Sequence, residues 1–251
     1  MLPLDIQNII CLYLYDFDDN INLYNLSKDH QNNIQITNLY DIATYYLDRL
    51  TQKVIEQLKF KNVERLDAND NKKIKNVNHM KKTLKVLHCG WKCGIDQQGI
   101  SQLNLVKLYA LDNDKIKNVN HMKNTLKVLD CSWNCGIEQE GISQLNLIEL
   151  DATDNKKINT VNHMINTLKK LICRYDSGID QNGILELNLI ELDAESNGKI
   201  KNVNHMKKTL KILNCSWNCG IDQEGISQLN LVELEASNND KIKNINHKKK
   251  L

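Results

Sequence analysis

Proline is almost absent from this 251-residue sequence, in which Pro3 is the only one. No apolar run approaches the roughly 20 residues that a membrane-spanning helix needs. The first apolar stretch follows no basic segment and is bracketed by Asp5 and Asp16, so we expect a helix here and not a secretory signal. These absences predict a cytoplasmic or nuclear protein with no membrane partner, whose eight cysteines are reduced thiols.

The sequence also lacks the motifs of common enzymes. It has no glycine-rich phosphate loop and no recognisable set of nucleophile, base and acid. The formal net charge is only +2, which gives no bulk electrostatic reason to expect nucleic-acid binding. We therefore expect no catalytic residue, no cofactor and no nucleic-acid partner. Asn, Lys, Ile and Asp are abundant, a bias of AT-rich genomes that explains part of the composition without any function.

A cysteine-containing segment recurs every 42 residues. The copy LDCSWNCGIEQEGISQLNL begins at Leu129, close copies begin at Leu87 and Leu213, and a degraded copy begins at Leu171. Between them lies a second unit, such as LDATDNKKINTVNHMINTL from Leu150. Both units share the pattern L-x-x-L-x-[A/C]-x-x-N-x-x-I, which gives a period of 21 residues and nine coils.

We count positions within a coil from its first apolar residue. The cysteine coils begin at Leu84, Leu126, Leu168 and Leu210. The histidine coils, which contain Asn-His followed by Met or Lys, begin at Val63, Leu105, Leu147, Leu189 and Leu231.

This pattern predicts a solenoid. The alternation around the second leucine gives a short strand with one buried face. Asn at position 9, as in Asn113, Asn134 and Asn155, is placed to bond backbone groups of its own and the neighbouring coil at the turn. Lys92 and Asp176 are exceptions there. A single coil cannot bury its apolar edge, but stacked coils can.

The pattern resembles the leucine-rich-repeat family over about residues 60–247. The resemblance implies an α/β solenoid with short parallel strands on the concave face of an arc. The cysteine coils are similar to the variant common in F-box proteins, with Asn134 at the turn, followed by Ile137, Gly141 and Ile142.

The N-terminal segment resembles an F-box, with Leu-Pro-x-Asp-Ile at its start and Asp19 and Ser27 further on. That resemblance implies docking to a Skp-type adaptor of a cullin–RING ubiquitin ligase. The residues that would bind the adaptor are Leu2, Pro3, Ile6, Ile10, Leu14, Leu23 and Leu26. The alternative is a plain helical cap on the repeats, with the protein acting as a binding scaffold without a ubiquitin link.

We expect three parts: an F-box-like helical segment at 1–37, a capping helix at 38–60 and the solenoid at 61–251. The capping helix is predicted from an apolar stripe at four-residue steps, formed by Ile42, Tyr46, Leu50, Val54 and Leu58. A compact Asn/Lys/Ile-rich protein of this kind is also similar to repeat proteins of large DNA viruses of protists, and would then act inside the host cell.

Cysteine and histidine recur with the same 42-residue period. At ~4.8 Å per coil, equivalent side chains lie about 10 Å apart, beyond disulfide reach and too far to share one metal ion. The first cysteine of each copy alternates with alanine in the intervening coils, as expected of a small buried slot. We therefore interpret the cysteines as packing residues and the histidines as surface or backbone-bonding residues.

Aromatic residues occupy position 8 of the cysteine coils, where the histidine coils carry mostly acidic or small polar residues. Aromatic side chains at the lip of a strand surface are good anchors for a protein partner. Other side chains on this surface deviate from the repeat consensus, either as ligand contacts or by neutral drift. The predicted partner-binding residues are His88, Trp91, Tyr109, Leu111, Trp133, Ile172, Arg174, Tyr175 and Trp217. The alternative is that each ring simply packs over the next coil. We expect a monomer apart from such partners.

Overall fold

The structure is a computed structural model that describes residues 36–39 and 50–243. The chain divides into two compact units, with the boundary after Tyr109. The predicted adaptor-binding residues, from Leu2 to Leu26, lie outside the described residues. No helix within the described ranges is long and apolar enough to cross a membrane.

The first unit contains a run of short parallel strands, each paired with the next. They are β1 (Asn38–Leu39), β2 (Arg65–Asp67), β3 (Val86–His88) and β4 (Lys107–Tyr109). In β2 to β4 the central leucine is buried while its two neighbours are partly or fully exposed. The pairing aligns these leucines with one another, as the 21-residue period predicts.

The second unit repeats this arrangement with parallel strands that pair in sequence order. They are β5 (Val128–Asp130), β6 (Glu149–Asp151), β7 (Lys170–Ile172), β8 (Glu191–Asp193), β9 (Ile212–Asn214) and β10 (Glu233–Glu235). The chain is thus a leucine-rich-repeat α/β solenoid, which confirms the predicted fold class.

Each of the eight coils that begin between Val63 and Leu210 returns through a single helical turn, which is too short to be called a helix layer. Of the helical turns in the described residues, two are α-helical, α1 (Gln52–Ile55) and α2 (Gln139–Ile142). The others are 3₁₀ turns at Leu58–Phe60, Asn78–Met80, Gln98–Ile100, Asn120–Met122, Asn162–Met164, Asn182–Ile184, Asn204–Met206 and Glu224–Ile226.

The structure corrects the prediction for the segment before the array. Within the described residues it forms a short helix and a 3₁₀ turn, and Leu58 is 81% exposed, so the predicted stripe does not continue to it. Ile55 and Phe60 are buried instead. Asn38 and Leu39, at the start of the predicted capping helix, instead form β1, which pairs with β2.

Buried asparagines connect the histidine coils to the coils before them. The Asn155 amide donates to the carbonyl oxygens of Cys131 and Ile137 at 2.8 and 3.1 Å, and its Oδ1 accepts from the Lys157 amide at 3.0 Å. Asn197 makes the same three bonds in its own coil. The predicted role of position 9 is therefore confirmed for the histidine coils.

The predicted role of position 9 is wrong for the cysteine coils. Asn134 is exposed and bonds only across the surface to Asp112. The buried turn residue is the next one, because in the cysteine coil from Leu84 the Cys93 sulfur accepts the Ile95 amide at 3.5 Å, as the asparagine oxygen does elsewhere. This shift explains why Lys92 and Asp176 are tolerated at position 9.

Side-chain bridges explain why the repeat is 42 residues long and not 21. The Gln139 side chain of a cysteine coil accepts the amides of Asn159 and Thr160 and donates to the Thr160 carbonyl, at 2.9 to 3.0 Å. In the opposite sense, Asn162 of a histidine coil donates to the Asn182 carbonyl of the following cysteine coil at 2.8 Å. Each coil type therefore carries a side chain that bonds backbone groups of the following coil, which is of the other type.

Candidate functional site

Position 8 of every coil has a left-handed backbone, with φ between 52° and 61°. The histidine coils fill it with Asp, Ser or Asn, small polar residues that suit this conformation. Trp133 and Trp217 adopt the same conformation at φ 60° and 61°. Since left-handed backbone costs an ordinary residue about 1–2 kcal/mol, neither indole is favoured by its backbone.

Packing does not require these rings either. Trp91 is 51% exposed, Trp133 47%, Tyr175 41% and Trp217 52%. In the second unit the centroids of the Trp133 and Tyr175 rings lie 6.2 Å apart with their planes tilted by 47°. We call Trp133, Tyr175 and Trp217 the ring row. Its side chains have a large exposed area, and their left-handed backbone conformation is adopted more readily by Asp or Asn than by Trp or Tyr.

In the first unit two of the predicted partner-binding residues lie together. The His88 and Tyr109 rings are stacked, with centroids 4.1 Å apart and planes 20° from parallel. Both side chains are partly exposed. Trp91 of the same unit completes the predicted set there.

The acidic residues at position 5 have a structural task. Oδ1 of Asp130 accepts the Ser132 amide, and Oδ1 of Asp151 accepts the Thr153 amide, at 3.0 and 2.9 Å. Asn214 makes the same bond to Ser216 at 3.1 Å. An oxygen at this point caps the turn into the left-handed residue, but a negative charge is not needed for it.

The charged form of the carboxylate is disfavoured at one of these positions, Asp130. Burial raises the pKa of Asp130, and the negative charge of Asp151 raises it further, while the hydrogen bond from the Ser132 hydroxyl acts in the opposite direction. Asparagine would keep the turn without this penalty, as Asn214 shows. The acidic side chains are therefore not explained by the turn alone.

Arg174 stands where other cysteine coils have Gly90, Ser132 or Ser216. Its Nη2 lies 2.5 Å from Oδ2 of Asp193, and this bond raises the pKa of the guanidinium. Its Nη1 lies 3.9 Å from Glu195. The arginine is therefore held by its neighbours and covers part of an otherwise acidic surface.

Position 7, directly before the ring row, contains buried polar atoms without a partner. Among the described residues the buried side-chain nitrogen or oxygen atoms that lack a hydrogen bond are Thr153 Oγ1, Arg174 Nε and Ser216 Oγ. All of them belong to this one position. An unsatisfied buried group costs about 1–3 kcal/mol, so the cluster marks a place where stability is sacrificed. Sequence reasoning missed Thr153 and Ser216, because nothing in the sequence shows that a serine or threonine is buried.

The seven cysteines of the described residues are buried individually inside the coils. Burial raises the pKa of Cys135 to about 11 and that of Cys131 well above the ordinary value. Within the described residues no three His, Cys, Asp or Glu side chains are grouped so that they could hold a metal ion. The Cys131 and Cys135 thiols are therefore protonated at neutral pH.

The histidines of the histidine coils bond to backbone. Nε2 of His163 lies 3.2 Å from the Ile142 carbonyl oxygen, and Nε2 of His205 lies 3.1 Å from that of Ile184. Partial burial lowers the pKa of both rings. Each ring therefore contacts the coil before its own.

No protein-family model matches this sequence, and no curated protein matches it. A solved structure similar to the chain is titled "Crystal structure of Rad7 and Elc1 complex in yeast". The matched chain is 14% identical, with a TM-score of 0.47, and the match covers 99% of this chain and 87% of that chain. The leucine-rich-repeat assignment rests on the strand register of this chain itself.

Proposed function

We propose that this protein is a non-catalytic protein-interaction module whose partner contacts the ring row. The observation that carries the proposal is that half-exposed aromatic residues occupy left-handed backbone in alternate coils. Folding alone would favour Asp, Asn or Ser there, as the histidine coils have. Exposed, rigid aromatic rings are the side chains that most often dominate the energy of protein interfaces.

Site-specific photocrosslinking tests this function. Benzoylphenylalanine at position 175 should crosslink the protein to a partner in cells, since it replaces one exposed aromatic side chain with another. The control carries the same group at position 185, where Leu185 is 50% exposed but lies outside the strand surface. Equal crosslinking from both positions, or none from position 175, would contradict the proposal.

We further propose, from the sequence pattern of residues 1–37, that the N-terminal segment recruits a Skp-type adaptor. In that case the ring row would hold the protein to be ubiquitinated. The favouring observation is the Leu-Pro-x-Asp-Ile pattern with apolar residues at the spacing of an F-box.

A pull-down with purified Skp-type adaptor tests the second proposal. The wild-type chain should bind, and Leu2→Ala/Pro3→Ala or Ile10→Asp should lose binding. Trp217→Asn serves as the control, because it changes the ring row and leaves the N-terminal segment intact. A folded wild-type protein that does not bind the adaptor would leave only the scaffold function.

A further inference from the structure

We propose that the ring row of the second unit binds an extended peptide with lysine or arginine at every second residue. The inference rests on the proposed protein-binding function and specifies the class of partner. It follows from the charge of the strand surface, the arrangement of the rings and the unpartnered polar atoms beside them.

Charge is strongly segregated on this surface. Coil positions 3, 5, 7 and 8 of the second unit carry ten carboxylates against two cations, although the whole chain has a formal net charge of +2. The cations are Lys170 and Arg174, and both pair with neighbouring carboxylates. A cationic partner is therefore attracted and an anionic one repelled. The carboxylates are Asp112, Asp130, Glu149, Asp151, Asp154, Glu191, Asp193, Glu195, Glu233 and Glu235.

The rings alternate with acidic or small polar residues along position 8. Trp133 and Tyr175 come from successive cysteine coils, and the coil between them contributes Asp154. The two ring centroids are 6.2 Å apart. An ammonium or guanidinium group binds the face of an aromatic ring within about 6 Å of its centroid, and a nearby carboxylate adds direct charge pairing. This position therefore offers repeated sites for a cationic side chain.

The unpartnered polar atoms favour an extended peptide over a helix. Thr153 and Ser216 are 6% and 2% exposed, and their hydroxyls have no hydrogen-bond partner within the described part of the chain. A helix bonds its own backbone groups, whereas an extended chain leaves N–H and C=O groups free for such hydroxyls. Because both hydroxyls are buried, they bond the peptide backbone once their side chains rotate toward the surface, while the rings receive the side chains of the peptide.

The spacing of the rings sets the spacing of the cations. The centroids of Trp133 and Tyr175, which come from successive cysteine coils, lie 6.2 Å apart. An extended β-strand places like-facing side chains about 6.7 Å apart, which matches this distance. A polyproline II peptide would instead present every third residue on one face, about 9.3 Å apart, which does not match. The predicted motif is therefore a cation, one intervening residue, and a cation again.

Calorimetric titration with synthetic peptides tests this inference. The probe carries three lysines separated by single threonine residues, which favour an extended backbone. One control has the same composition with the lysines adjacent, and another has glutamate for lysine. We expect the spaced lysine peptide to bind at least tenfold more tightly than the clustered one, with affinity falling as NaCl is added. The glutamate peptide should not bind.

Variants locate the binding. Trp133→Asn should reduce the affinity at least tenfold without lowering the melting temperature, because Asn tolerates the left-handed backbone. Asp151→Asn should also weaken binding while keeping the bond to the Thr153 amide, as Asn214 does to Ser216. Leu185→Ser, which restores the serine found in the other cysteine coils, should have no effect.

Equal affinity for spaced and clustered lysines, or binding that survives Trp133→Asn, would overturn the inference. So would the absence of any binding. If position 175 still crosslinks to a partner in cells, the protein-binding function stands and only the partner class is wrong. Failure of both experiments would remove both proposals.

Discussion

At the scale of the residue, the asparagines at position 9 contribute differently to the free energy of unfolding, although they occupy the same position in the repeat. Replacing Asn155 by Ala removes two buried bonds to carbonyl groups and one partly buried bond from the Lys157 amide. We expect Asn155→Ala to lower the free energy of unfolding by about 3 kcal/mol, since buried backbone groups lose their partners. Chemical denaturation followed by circular dichroism measures this change.

Asn134→Ala is the matched control for that substitution. Asn134 is exposed and bonds only to Asp112, so its loss should change the free energy of unfolding by less than about 0.5 kcal/mol. A large effect of Asn134→Ala would show that the cysteine coils turn at position 9 after all.

Sequence reasoning found the rings of the candidate site and the asparagines of the histidine coils, because both follow the repeat. It placed the turn residue of the cysteine coils one position early, since Asn134 fits the consensus and Cys135 does not resemble asparagine. The sulfur nevertheless takes the asparagine oxygen's place, as the Cys93 contact shows. Burial of individual hydroxyls, such as that of Thr153, is set by the neighbouring coil and cannot be read from one sequence.

At the scale of the element, adjacent coils approach so closely that the helical turn of each cysteine coil requires a glycine at one point. A Cβ atom on Gly141 would overlap the Lys117 carbonyl oxygen and lie 3.2 Å from the Asn118 Cα. We expect Gly141→Ala to lower the free energy of unfolding by more than about 2 kcal/mol, because backbone atoms must move. Thermal denaturation is the measurement.

Gly198 provides the control at this scale. A Cβ atom there would meet only the Asn218 carbonyl oxygen, at 3.8 Å. Gly198→Ala should leave the stability unchanged or slightly higher, since it reduces the freedom of the unfolded chain. If both alanines destabilise the protein equally, the close approach at Gly141 is not the cause.

The regular elements were predictable because the 21-residue period fixes the strand register. The segment at 38–60, with its predicted capping helix, was not, because it departs from that period. Among its described residues Ile55 and Phe60 are buried and Leu58 is exposed. Where the spacing is irregular, a repeat pattern does not show which residues are buried.

At the scale of the whole molecule, the buried thiols predict a loss of stability in alkali. The unfolded thiol has a pKa of 9.0, whereas burial raises that of Cys135 to about 11. Above pH 9 the unfolded chain therefore releases protons that the folded protein keeps, which favours unfolding. The contribution is fully present below pH 9 and decreases up to about pH 11. Denaturation midpoints measured from pH 7 to pH 10.5 should show this decline.

Cys131→Ala is the control for the alkaline effect, because the same slot holds alanine in the histidine coils, as in Ala110 and Ala152. The variant should fold at pH 7 and lose less stability on raising the pH than the wild type does. Rapid alkylation of Cys135 in the native protein at pH 8 would contradict the raised pKa.

The bridges between unlike coils have a consequence for how such a chain can be inherited. Gln139 and Asn162 each find their partners only in a coil of the other type. Duplication or loss of one coil would place two coils of the same type next to each other, and the bridging side chains would then lack their hydrogen-bond partners. The pair, and not the single turn of the solenoid, is therefore the smallest piece that recombination can copy or delete without penalty.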